Sequence, residues 1–286
     1  MRVFRTTFLL VALTLLLMLI GRAFGPGGMT IALGFAVVMN AFAYFFSDKI
    51  ALWSSGAKPV SREQLPRLYA VMERLAAKVN LPLPKLYVVA EPAPNAFATG
   101  RNPRHASVAV TQGLLELMND EELEGVIAHE LSHVRNYDIL ISSIAATIAG
   151  AIVHLASMGR WAMIFGGWGG DRDDRDGGGI AAILMLFLAP LAAMLLQLGL
   201  SRQREYSADA TGARMVGNPY GLISALEKLG AYNNRIPTTA ISPSTSSLCI
   251  VKPLFGGGSL GTLFSTHPPL ANRIATLREM TIIPQR

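Results

Sequence analysis

Two histidines and a glutamate, His129, Glu130 and His133, stand in the spacing H-E-x-x-H. On a helix the histidines are i and i+4 and project from one face, a turn apart. Two imidazoles so placed can share one tetrahedral metal. Glu130, beside the first histidine, can then take a proton from a water activated by that metal and deliver it to a leaving amine. This is the chemistry of zinc-dependent peptide hydrolysis, with one Zn2+ per chain. Such a centre needs a third protein ligand and one open position. Glu205 and Asp209 form a second i, i+4 pair. Glu205 is the expected third ligand, and Asp209 the expected acceptor for the ring N–H of a ligand histidine, fixing its tautomer. The same spacing also occurs in solvated, charged helix ends, so the course of the chain between His133 and Glu205 matters.

The elements that would position these residues can be read nearby. Asn119 and Glu122 have the spacing of an N-cap and its capping-box partner, and Asp120 and Glu121 suit a helix N-terminus. Leu123, Val126, Ile127, Leu131 and Val134 carry a helical period. No Pro or Gly lies between Val126 and Ala149, so this helix is expected to run directly into the apolar block that follows. Upstream, Leu86 to Val89 reads as a short strand. Asn95 to Thr99 and Ala106 to Thr111 read as strands flanking a turn at 100–103. The segment beginning at Asn95 is expected either to offer a sheet edge to substrate or to be a structural hairpin. His267 is expected to line the cleft and stabilise the transition state, or to be a turn residue before Pro268. His105 reads as an exposed turn residue and His154 as a packed one.

Hydrophobic types make up 51% of the 286 residues and charged types 15%, against about 25% charged in an ordinary soluble domain. Mean hydropathy is +0.38. Charge-free blocks run over 6–21, 23–47, 139–159 and 177–201, each near the ~20 residues that span a bilayer. The first block also resembles a cleavable signal peptide; its removal would leave every later segment on the same side. Arg2 and Arg5 precede the first block, and Arg202 and Arg204 follow the fourth. By the positive-inside rule both termini and the active site are cytoplasmic, with short outer loops at about 21–28 and 160–178. Two spans then separate His133 from Glu205 and return the chain to the same face. The net charge of +6 reflects this topology, since no nucleic-acid motif accompanies it. No Walker-type loop is present, which argues against nucleotide use. The single cysteine, Cys249, excludes an intramolecular disulfide framework and a multi-cysteine zinc site.

Four motifs in order resemble one family: residues Pro94 to Gly100, His129 to His133, Arg204 to Asp209, and Ser265 to Leu270. The chain is similar along nearly its whole length to the HtpX branch of integral-membrane zinc peptidases, related to the CAAX prenyl endopeptidases. The resemblance implies an ATP-independent endopeptidase of the bacterial inner membrane. It would act on misfolded membrane or cytoplasmic proteins in stress-linked quality control, with polypeptides and the lipid bilayer as its partners. The expected fold is mainly α, with four transmembrane helices in two hairpins and a small α+β zincin-like catalytic domain. The hairpins are 1–50 (spans about 6–21 and 23–47) and 139–200 (spans about 139–159 and 179–200). The catalytic parts are 51–138 and 201–286. The competing readings are a CAAX-type prenyl-peptide protease and a non-enzymatic four-helix membrane scaffold.

Overall fold

A computed structural model of the chain describes residues 10, 11, 14, 15, 18, 22, 25–145, 202–233, 250 and 268–280. Most of the expected spans, apart from the second, lie outside these residues, as do His154 and His267. The second is helix α1, Gly25–Ser54. Its stretch Gly27–Ser54 is long and apolar enough to cross a membrane. Ile31, Phe35, Val37, Val38, Phe42 and Phe45 all stand exposed on it, so no protein core accounts for their apolar character. At 1.5 Å per residue α1 is about 45 Å long, more than a ~30 Å hydrocarbon core requires. Asn40 of α1 donates to Thr14 Oγ1 at 2.8 Å and to the Leu10 carbonyl at 3.2 Å. That contact ties the first apolar block to the second.

The last turns of α1 belong to the folded domain that follows it. Its sheet contains β1 (Lys58–Pro59), β2 (Lys85–Val89), β3 (Ala96–Gly100) and β4 (Ala106–Thr111), in the order β1-β2-β4-β3. β2 and β4 are parallel; the two outer pairings are antiparallel. The expected strands are therefore present, and β3 is an edge. Side chains alternate between the faces with a period of two. Tyr87, Val89, Phe97 and Ala109 pack with Ala51 and Leu52 at the end of α1. Leu86, Ala96, Ala98, Val108 and Val110 join the main core with α2 (Pro66–Lys78) and α4 (Asp120–Arg135), which follows the short α3 (Gln112–Leu117). The sheet is thus held between the foot of α1 and α4.

The expected capping box is formed. Asn119 Oδ1 accepts from the Glu122 N–H, and Glu122 accepts from the Asn119 N–H, each at 2.9 Å. Helices α5 (Arg202–Val216), α6 (Tyr220–Asn233) and α7 (Leu270–Arg278) complete the domain. Glu122 also accepts from Ser224 at 2.6 Å and Lys228 at 2.8 Å on α6. It is both a cap and an inter-helix tie.

One expectation is corrected. α4 does not run unbroken into the following apolar block: it ends at Arg135, with Asn136 as its C-cap. Tyr137 takes a left-handed φ of 60°, and helical structure resumes at residues 138–145. A single left-handed residue stops a helix as a Gly would, and neither Pro nor Gly marks the spot in the sequence. Ser143, past the break, meets Thr99 of β3 at 2.7 Å between hydroxyl oxygens.

The electrostatics of Glu122 carry a stability prediction. Burial alone would raise its pKa, but the bonds from Lys228, Ser224 and the Asn119 N–H outweigh burial and lower it. Glu122→Gln is expected to cost on the order of 2 kcal/mol at pH 7. A carboxyl with a depressed folded-state pKa gives its stability above the unfolded value and loses it as pH falls through the folded one. The gap in thermal midpoint between wild type and variant should therefore close in acid, below about pH 4.

Candidate metal centre

α4 and α5 bring the sequence-predicted residues together. His129 and His133 place their Nε2 atoms 3.2 Å apart. Glu205 approaches both, with Oε2 3.7 Å from His129 Nε2 and Oε1 3.6 Å from His133 Nε2. These three residues form a group able to hold a metal ion, with one donor atom from each lying within 4.8 Å of the others. A tetrahedron with bonds of 2.0–2.1 Å has edges of about 3.3–3.4 Å. The Nε2–Nε2 separation lies close to that edge, and each imidazole has a different Glu205 oxygen at 3.6–3.7 Å, so the three residues can close on a tetrahedral ion such as zinc.

The charges fit as well. Glu130, Glu205 and Asp209 are buried carboxylates, and Arg273 is a buried guanidinium among them. Fully ionised, three negative charges and one positive leave two negative charges, which one divalent cation balances. Without it, burial and the charge of Glu205 push the Glu130 pKa up to about 7, against lowering by His133 and the Ala98 N–H, which donates to it.

Each ligand imidazole has an aspartate behind it. His129 Nδ1 lies 2.8 Å from Asp209 Oδ1, so Nδ1–H donates and the Nε2 lone pair faces Glu205. Burial holds the His129 pKa below its ordinary value despite Asp209, so the ring is neutral and ready to ligate. Asp209 stays ionised: burial opposes this, but the charge and hydrogen bonds of Arg273 and the His129 bond prevail. Behind His133 stands Asp138, 3.5 Å from Nδ1, with Arg204 3.9 Å further on. Burial disfavours the His133 cation, but Asp138, Glu205 and Glu130 outweigh it and raise its pKa.

Asp138 and Arg273 were not read from the sequence. On an unbroken helix a residue at i+5 points about 140° away. The break at Tyr137 is what turns Asp138 back toward His133. For Arg273 there was a signal: it shares the inward stripe of α7 with Leu270, Ile274 and Leu277, and a charged residue on such a stripe needs a buried partner.

α5 gets close enough for Glu205 to reach because the face it turns to α4 is small: Ala208, Gly212 and Ala213 are buried there. A Cβ at Gly212 would stand 3.0 Å from the His129 backbone nitrogen and 3.1 Å from the Ala128 carbonyl carbon. Of the remaining predicted residues, Asn95 sits at the start of β3, where Oδ1 accepts from the Ile250 N–H at 3.2 Å. His105 is exposed and pairs with Asn102 at 2.8 Å.

The model of one family, peptidase family M48, matches residues 62–281. The chain belongs to peptidase family M48. It is 56% identical over 274 residues to a protease HtpX homolog of Desulfatibacillum aliphaticivorans, covering 96% of this chain and 88% of that one. To the protease HtpX homolog of Syntrophobacter fumaroxidans it is 51% identical, covering 97% and 99%. The crystal structure of S. mikatae Ste24p superposes with a TM-score of 0.52 at 20% identity, covering 92% of this chain and 62% of that one; this shows a shared fold. The chain is a membrane metallopeptidase of family M48, and the scaffold reading is excluded. Substrates of an M48 peptidase are polypeptides, and His129, His133 and Glu205 are a group that could hold a metal ion.

Gly212→Ala should force α5 off α4 and draw Glu205 away from the imidazoles. The expected result is metal binding weaker by about tenfold, read by chelator competition, with a destabilisation of roughly 1–3 kcal/mol from overpacking.

Proposed function

We propose that the chain is an ATP-independent zinc endopeptidase of the bacterial inner membrane, with its active site on the cytoplasmic side. The observation that carries this is the convergence of two imidazole nitrogens and the Glu205 carboxylate beside the buried Glu130. His129, His133 and Glu205 would hold one zinc ion. When bound, zinc polarises a peptide carbonyl and lowers the pKa of water toward ~7. Glu130 takes the proton of the attacking water and passes it to the leaving amine. The Ala98 N–H, which bonds Glu130, holds that carboxylate in place. Asp209 and Asp138 keep the imidazoles facing the ion.

Substrate is taken as a strand added to β3. The Thr111 N–H to Asn95 carbonyl bond is 2.9 Å, so alternation turns the backbone groups of Ala96, Ala98 and Gly100 away from β4. The Ala96 carbonyl is engaged by the Ile250 N–H at 3.1 Å. Among the described residues no strand pairs the outer side of β3, and the next carbonyl on that side is that of Ala98, whose N–H bonds Glu130. Asn95 shapes the start of this edge, and His267 is assigned to the transition-state side of the cleft.

The membrane part is two hairpins, 1–50 and 139–200, that carry the catalytic parts 51–138 and 201–286 on one side of the bilayer. The Asn40 to Thr14 bond supports the first hairpin. The natural substrates are misfolded membrane or cytoplasmic proteins in stress-linked quality control. No nucleotide or nucleic acid takes part.

Glu130→Gln in detergent is expected to keep one zinc per chain and to lose casein cleavage by about 10²–10⁴-fold. Equal cleavage by both proteins, or no zinc in wild type, would overturn the reading. Orientation is tested in a Cys249→Ser background. An impermeant maleimide applied to intact cells should label Gly170→Cys and spare Glu63→Cys.

A further inference from the structure

Arg273 has no surface exposure at all, yet it carries a full charge, which its buried carboxylate neighbours hold in place. Its contacts explain why that charge is tolerated. Nε donates to Asp209 Oδ2 at 2.8 Å and Nη2 to Asp209 Oδ1 at 2.6 Å, a two-pronged fork on one carboxylate. Nη1 donates to the Ile250 carbonyl at 2.8 Å and lies 3.7 Å from Glu205 Oε2. Nη2 is also 3.4 Å from His129 Nδ1; with Nδ1–H given to Asp209, both atoms are donors and this is proximity, not a bond.

The same guanidinium therefore meets two systems. Through Asp209 it stands behind the ligand His129. Through Ile250 it reaches the edge strand, because the Ile250 N–H bonds the Ala96 carbonyl at 3.1 Å and Asn95 Oδ1 at 3.2 Å. A lysine has one donor centre and cannot hold a carboxylate fork and the Ile250 carbonyl together.

We propose that Arg273 is a positioning residue that sets the metal ligand His129 and the start of the substrate-binding edge at Asn95–Ala96 in one frame. This rests on the zinc peptidase reading above. It goes beyond that reading by assigning one buried cation to both metal affinity and substrate affinity.

The test uses the full chain in detergent, with zinc affinity measured by chelator competition and kcat and KM for a peptide substrate at saturating zinc. Wild-type zinc stoichiometry is measured first and tests the peptidase reading on its own: a wild type without zinc sinks that reading and the proposal with it. Asp209→Asn keeps the Ile250 contact. It is expected to weaken zinc binding tenfold or more and to leave KM near wild type. Arg273→Lys is expected to weaken zinc binding similarly and also to raise KM several-fold. If Arg273→Lys fails to fold, the double variant Asp209→Asn/Arg273→Gln, which leaves no unpaired buried charge, carries the same two expectations. Zinc affinity within twofold of wild type in the folded variant would overturn the metal half of the proposal. A KM no higher than that of Asp209→Asn would overturn the link to the edge strand. A loss confined to kcat would overturn both.

Discussion

Two imidazoles on one helix cannot complete a tetrahedral site without a third donor from elsewhere, so α5 must come within side-chain reach of α4. Glutamate is short, and Glu205 reaches both Nε2 atoms at 3.6–3.7 Å where Gly212 lets the two backbones come close. The near-contact that a Cβ at Gly212 would make with the His129 nitrogen, 3.0 Å, measures how little slack remains. The crossing is reinforced on the other flank. Gly125 and Gly221 let α6 meet α4 so closely that a Cβ at either would fall within 2.5 Å of opposing backbone. Glu122 then clamps the pair through Ser224 and Lys228. The core around α4 is therefore built for proximity before it is built for apolar area.

Proximity of this kind concentrates charge where water cannot help. Burying carboxylates is costly unless each is paired, and the domain solves this unevenly. Asp209 is paired with Arg273 at 2.6–2.8 Å. Among the described residues, Asp138 has besides His133 the looser Arg204, at 3.9 Å. His129 is thus held by a fully buried assembly, while His133, more open to solvent, is held by a weaker one. Burial, with the charge of Glu205, holds the Glu130 pKa up to about 7, because the lowering by His133, the Ala98 N–H and Arg273 does not offset it. A group that must both accept and return a proton near neutral pH is suited by that position. A divalent ion opposite it would pull the value down.

How much of this was legible in the sequence depended on distance along the chain. His129, Glu130 and His133 are fixed by one helical turn, and the capping box at Asn119 by three residues. The strands at Leu86, Asn95 and Ala106 show in local alternation. The i, i+4 spacing of Glu205 and Asp209 also suits a solvated helix end; the need for a third ligand and the return of the chain to the same face singled them out. The stop at Tyr137 was not, since a left-handed tyrosine has no compositional mark and only the surrounding packing imposes it. Asp138 was hidden by that same error, because a continuous helix sends it away from His133. Arg273 lies 64 residues from Asp209. Its place on the apolar stripe of α7 marks it as needing a buried partner, but not which one. The membrane hairpins were read from charge-free length; among the described residues only α1 is long and apolar enough to cross a bilayer.

The sheet explains why such a site belongs beside a bilayer. One face of it rests on Ala51 and Leu52 at the foot of α1 and the other on α4, so the edge strand is fixed between a membrane-length helix and the metal ligands. Two further contacts pin β3 and its turn toward the apolar segments. Thr99 meets Ser143 at the start of the next apolar block, and the Arg101 guanidinium lies 5.6 Å from the centre of the Phe45 ring on α1. Phe45 is itself exposed, among the apolar side chains of the stretch that can span. A substrate strand lying along Ala98 and Gly100, as proposed, would therefore run past the end of β3 that meets the apolar segments. With β3 taking the substrate as proposed, the foot of the membrane-length helix is one wall of the sheet that presents it.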